Sequence, residues 1–132
     1  MTRYAIDAPT LLRIVTEEVR IAEGNQLVAP NSIRSDALTL LLARVRRGEL
    51  TDKQARELHT RLTELKIRTL GDRVSRWTSF QIAREQGWET TYAAEYLAVA
   101  KLQADALVTV DEELVGKAQG VVPVEPFEVL TR

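Results

Sequence analysis

Ala106-Leu107-Val108-Thr109-Val110-Asp111-Glu112-Glu113-Leu114 passes from a strand pattern through an acid into a helix start. Its first five residues are apolar except for Thr109, rich in β-branched side chains and too few for a helix, the pattern of a strand buried on both faces. An acid follows at once, and the next residues open a short helix to about Ala118, with Asp111 placed to cap it. The same order of strand, acid and helix occurs near the start. Arg3–Ile6 reads as a strand and Asp7 follows it. Pro9 then sits in a first helical turn, where its missing N–H costs nothing. That helix is expected to run to about Glu23 and stop at Gly24-Asn25.

Between these two units the signals continue to alternate. Gln26–Ala29 reads as a strand ending at Pro30. A helix follows from about Ser32 to Arg47, closed by Gly48. Thr51-Asp52-Lys53-Gln54 is a capping box, so another helix starts there and reaches about Leu65. Lys66–Leu70 reads as a short strand, Asp72 caps a helix ending near Gln86-Gly87, and Tyr92–Leu102 is helical. Val121–Val124 is the expected last strand, with Pro126 interrupting the chain after it. Strands alternating with helices predict an α/β domain: a central parallel sheet flanked by helices in three α/β/α layers. Residues 1–132 read as a single domain of ordinary length.

Composition narrows the function classes. A hydrophobic content of 45% and a charged content of 28% are those of an ordinary globular chain. Net charge is −1 and pI about 5.9, so any nucleic-acid contact must come from a local patch rather than a global basic field. With no cysteine, disulfides and thiolate metal sites are excluded. No apolar run approaches the ~20 residues of a membrane span, and no secretory signal is read at the N-terminus. A cytoplasmic protein without membrane contact is the expectation.

Ligands of parallel sheets gather at the carboxyl ends of the strands. Asp7 and Asp111 are both expected there, and two carboxylates converging on one cleft would raise a pKa or demand a cation. Each also has a simpler reading as a helix N-cap. Asp36 falls at the margin of the apolar arc made by Ile33, Ala37, Leu40, Leu41 and Val45, where a carboxylate can stay solvated or reach a cleft.

In this arrangement the chain resembles the PIN-domain ribonucleases, most closely the toxins of VapC type. The resemblance covers nearly the whole chain. Leu107-Val108-Thr109-Val110-Asp111 is similar to the family's last-acid motif, and Asp7-Ala8-Pro9-Thr10 to its first acid with a nearby hydroxyl. Ser35-Asp36-Ala37-Leu38 sits where the family carries its second acid. Tyr92-Ala93-Ala94-Glu95-Tyr96 is one substitution from the motif in which an Asp follows the first Tyr. The resemblance implies a Mg²⁺- or Mn²⁺-dependent endoribonuclease, homodimeric and held inactive by a small antitoxin. Asp7 and Asp111 would ligate the metal, Asp36 would orient a water or help with a second ion, and Thr10 and Thr109 would hold the ligands by their hydroxyls. Such ions take hard carboxylate and water oxygens.

Ala93 departs from that pattern. Alanine brings neither charge nor ligand to the fourth position, so weaker metal binding and much reduced turnover are expected. Natural loss and a deliberate exchange of aspartate for alanine both give this sequence. Glu95, about 200° further around the helix, should face elsewhere. A non-catalytic PIN module that binds RNA or a protein is the alternative.

Other features weigh less. Arg44, Arg46 and Arg47 complement a helix dipole or contact phosphates. His59 has no metal-ligating neighbours, and Trp77 and Trp88 read as core or interface anchors. No nucleophile elbow or phosphate loop is present. A phospho-acceptor receiver domain would need paired acids after the first strand, where Ala8-Pro9 stands instead.

Overall fold

The structure, a computed structural model, describes residues 1–132. Five strands form one fully parallel sheet: β1 (Thr2–Ile6), β2 (Asn25–Pro30), β3 (Arg68–Leu70), β4 (Ala106–Val108) and β5 (Val124–Glu125). Their order is β3-β2-β1-β4-β5. The helices are α1 (Ala8–Thr16), α2 (Ile33–Arg46), α3 (Asp52–Glu64), α4 (Arg73–Gln86), α5 (Tyr92–Gln103) and α6 (Glu112–Ala118), and a 3-10 turn at Phe127–Thr131 follows β5.

The chain first winds outward from β1 to β2 and β3, then returns across the sheet to β4 and on to β5. Right-handed crossovers therefore put α1, α2 and α3 on one face and α4, α5 and α6 on the other. α1 packs on α2 and α3, while α5 lies across β1, β2 and β4 with α4 against it. The result is the three-layer α/β/α architecture expected. A core of 29 buried residues runs through it, with Ile6, Val28 and Leu107 of the sheet, Leu11 of α1 and Leu97 of α5 fully buried.

Local chemistry sets most boundaries. Thr51 and Gln54 form the capping box of α3, and the side chain of Asp72 accepts from the Ser75 N–H at the start of α4. Gly48 and Gly87 take positive φ just past α2 and at the end of α4. Arg34 of α2 donates to the carbonyls of Leu62 and Leu65, satisfying free groups at the C-terminus of α3.

Three expected elements differ. α1 stops at Thr16 rather than near Glu23, because Glu18 turns left-handed (φ 52°) and the Val19 N–H bonds back to the Ile14 carbonyl. Val19 and Ile21 then pack against the core from a loop. β4 ends at Val108, so Thr109 and Val110 lie beyond the ladder. The last strand is Val124–Glu125, not Val121–Val124, because the amides of Val121 and Val122 bond to the Ala118 carbonyl instead of a strand. No helix is long and apolar enough to cross a membrane.

Candidate functional site

β1 and β4 are neighbours although their sequences lie about a hundred residues apart; Tyr4, Ala5 and Ile6 pair with Ala106, Leu107 and Val108. This is the point where the strand order reverses, and the crevice outside it is the standard ligand position of open parallel sheets. Asp7 and Asp111 leave the carboxyl ends of these two strands. Both line a cleft of about 240 Å³, together with Ala93, Tyr92 and Tyr96 from α5 and Glu113 and Lys117 from α6.

Asp7 is buried and held from three directions. The Thr10 hydroxyl and Thr10 N–H both donate to its Oδ1, and the Thr109 hydroxyl donates to its Oδ2 at 2.7 Å. The same hydroxyls serve the other strand end. Thr10 Oγ1 accepts the Val110 N–H at 3.1 Å, and Thr109 Oγ1 accepts the Asp111 N–H at 3.0 Å. Each hydroxyl thus donates to Asp7 and accepts from the backbone around Asp111, so the two acids sit in one hydrogen-bonded frame. Burial pushes the Asp7 carboxyl above the usual carboxylate range; the hydroxyl and amide donors oppose that shift, and the charge of Asp111 adds to it.

Asp111 also caps α6, accepting the Glu113 N–H on Oδ1 at 3.0 Å. Asp7 caps α1 in the same way. Both acids therefore serve as helix caps and face one cleft. No protein donor reaches Asp111 Oδ2.

Asp36, in the first turn of α2, does not itself line the cleft. It is tied to the rim by the Tyr96 phenol, which donates to Asp36 Oδ2 at 2.6 Å, and Ser32 donates to the same oxygen at 3.2 Å. Burial, then the bond to Asp36, push the Tyr96 phenol far above its usual range, so it stays protonated and a donor. Tyr92 lies against Tyr96, with ring centroids 6.4 Å apart.

Ala93 lies in the first turn of α5, with its methyl group on the cleft. The N-cap of α5, Thr91, makes no side-chain capping bond, so this helix end turns positive partial charge toward the cleft that Asp7 and Asp111 line. Glu95 faces away, into a neighbouring crevice lined by Asn31, Ser32, Gly71 and Arg76. Burial, then repulsion from Asp36, raise its pKa. Gly71 lets the Asn31 amide lie close against the backbone there; a Cβ at this position would have to displace that side chain.

Nowhere do three or more acidic or histidine side chains come together as a metal-ligating group. The cleft brings together Asp7, Asp111 and Ala93, with Thr10 and Thr109 buried behind Asp7, and reaches Asp36 only through Tyr96. The sequence reading missed Tyr96 as the donor to Asp36, and missed Glu113 and Lys117. Their spacing after Asp111 was a usable signal, since Glu113 and Lys117 are four apart on one face of α6. The arginines of α2 and the pair Lys66 and Arg68 do not line the cleft. Trp77 is not a core residue: it is 58% exposed and stacked on Phe80.

The fold is similar to that of PAE2754 from Pyrobaculum aerophilum, known from a crystal structure. The TM-score is 0.76 at 24% identity, over 98% of this chain and 92% of that one. No family model matches the chain, and no curated protein matches it significantly. At this level of identity the likeness shows one thing, a shared three-layer α/β/α fold.

Proposed function

We propose that this chain is a metal-dependent endoribonuclease of the PIN type, a VapC-like toxin with turnover reduced by Ala93. The observation that carries the reading is the shared frame of Asp7 and Asp111, two carboxylates from adjacent, sequence-distant strand ends on one cleft.

The donor set fits a hard divalent cation. Mg²⁺ is commonly held by one or two carboxylates, with waters and substrate phosphate oxygens completing its shell. Thr10 and Thr109 fix the orientation of Asp7 while leaving one accepting position on Oδ2, and Asp111 keeps its Oδ2 free. Asp7 and Asp111 are therefore the residues that would hold Mg²⁺ or Mn²⁺. A bound ion supplies a more acidic attacking water and neutralises charge on the phosphate. Asp36, held by Tyr96 and Ser32, would orient a water or help with a second ion from the rim. Ala93 leaves the fourth quarter of the cleft without a carboxylate.

The same reading includes a small antitoxin over the cleft, a homodimer and a cytoplasmic setting. Leu38 and Leu42 of α2, and Val74, Trp77 and Phe80 of α4, are exposed apolar surface available for such contacts. The test is Ala93→Asp. Calorimetric titration should show tighter Mn²⁺ binding than in the parent, RNA should be cut in Mg²⁺, and adding Asp111→Ala should abolish both. Equal Mn²⁺ affinities with no cleavage by either protein would overturn the proposal. The second reading, a non-catalytic module, is favoured by Ala93 itself; it expects the parent to bind RNA or protein and Ala93→Asp to gain no cleavage. Should the parent already cleave as fast as Ala93→Asp, Glu113 is the residue to replace first, since it and not Glu95 lines the cleft.

A further inference from the structure

We infer that Lys117 is the phosphate-contacting cation of the cleft, seated over Trp88 and held in waiting by Glu113. The inference rests on the ribonuclease reading and assigns that site its contact to the nucleic-acid backbone. Three carboxylates line the cleft, those of Asp7, Asp111 and Glu113, and Lys117 is its one cationic side chain. A phosphodiester entering a cleft of that charge meets repulsion, so a cation at its wall decides whether the anion can enter. Lys117 has the right attachments. Its ammonium lies 5.2 Å from the centroid of the Trp88 ring, and Trp88 is half-buried against the core. That cation–π contact fixes the head group without placing a counter-charge on it.

The competing partner is Glu113 Oε1, 3.5 Å away on the preceding turn. The glutamate side chain is 77% exposed, and an ion pair so open to solvent is weak. An arriving phosphate can therefore take the ammonium from it. Release also leaves Glu113 free to turn out into water, away from the incoming anion. Two further donors of the ammonium are unengaged by protein.

A purely structural helix pair predicts a different outcome, and salt dependence separates the two. The experiment measures binding of a fluorescein-labelled single-stranded RNA oligonucleotide by anisotropy, with the full chain, across a range of KCl concentrations. One single-strand phosphate contact contributes about 0.7 to the slope of log affinity on log salt, so over a tenfold dilution of salt its loss amounts to about fivefold. Lys117→Ala should lower the slope by about that amount and weaken binding to match, whereas Lys117→Arg should retain both. Glu113→Gln should tighten binding, because the competitor is gone. Lys101→Ala, which removes an exposed lysine outside the cleft, should change neither. RNA binding by the parent with an unchanged slope in Lys117→Ala overturns the role of Lys117 and leaves the ribonuclease reading standing. No RNA binding by the parent, with no cleavage by Ala93→Asp, overturns both.

Discussion

Thr109→Val isolates the frame that joins the two strand ends. The side chains are close in shape, and position 109 is only 8% exposed, so the exchange deletes a hydroxyl and little else. Two bonds go with it. The first is the donation to Asp7 Oδ2 at 2.7 Å, a bond to a charged, buried acceptor; such bonds contribute about 1.5–3 kcal/mol. The second is the acceptance of the Asp111 N–H at 3.0 Å, on a half-buried backbone group that water can partly serve; its loss costs about 0.5–1 kcal/mol. The sum is roughly 2–4 kcal/mol, and at about 4 °C per kcal/mol for a chain of this length the melting temperature should fall by about 8–16 °C near neutral pH. The deficit should also depend on pH. The Thr109 bond lowers the Asp7 pKa relative to a site without it. A contribution of that sign is present where the carboxylate is ionised and is lost as pH falls through the acid range. Melting curves at neutral pH and near pH 4 should therefore show a smaller deficit in acid. Thr109→Ser, which keeps the hydroxyl, should lie close to the parent at both. A Thr109→Val protein melting within about 2 °C of the parent at neutral pH, or with one deficit at both pH values, would refute the reasoning.

Two more outcomes come from the same geometry. Burial raises the Asp7 pKa overall, so ionising it weighs against the fold increasingly as pH rises through its folded-state value; Asp7→Asn should gain in melting temperature on the parent between about pH 4 and pH 8, and a constant difference would count against a raised pKa. Tyr96→Phe removes the donor to Asp36 and should cost about 1–2 kcal/mol in urea unfolding, since the acceptor is charged but half-open to water; Ser32→Ala, which deletes the longer bond at 3.2 Å, should cost less.

What could be read from the sequence was chemistry confined to a few neighbours. The Thr51–Gln54 box, the Asp72 cap and the glycines after α2 and α4 each act within one turn of chain, and the helices begin or end where they stand. The end of α1 could not be read that way. Glu18 has no local reason to turn left-handed; the helix stops because Val19 and Ile21 have core to cover and the Ala22 N–H finds the Leu130 carbonyl. Val121-Val122 carries strand composition, yet its amides are claimed by the turn after α6. The site divides along the same line. Asp7 and Asp111 followed from the rule that strand ends in a parallel sheet meet. The link from Asp36 to Tyr96 spans 60 residues and depends on how α2 and α5 converge over the sheet edge. Only the assembled structure reveals that Lys117 shares a wall with Asp7.

The position of β1 between β2 and β4 has a consequence in time. β1, β2 and β3 with their three helices draw on residues before Gly71, whereas the other edge of β1 waits for β4. A chain emerging from its N-terminus therefore carries an open edge on β1 through the synthesis of α4 and α5, with Asp7 at its tip and only Thr10 to bind it. Pairings of such sequence separation close late, because loop entropy must be met before they return any contact. Asp7 gains its Thr109 donor, its proximity to Asp111 and its shelter from water in one step, when β4 zips onto β1. α5 packs on β1, β2 and β4 alike, so the closed pairing is locked from the other face of the sheet. Whatever this cleft does, it is withheld from the nascent chain and, once β4 is buried in the core, is kept for as long as the fold itself.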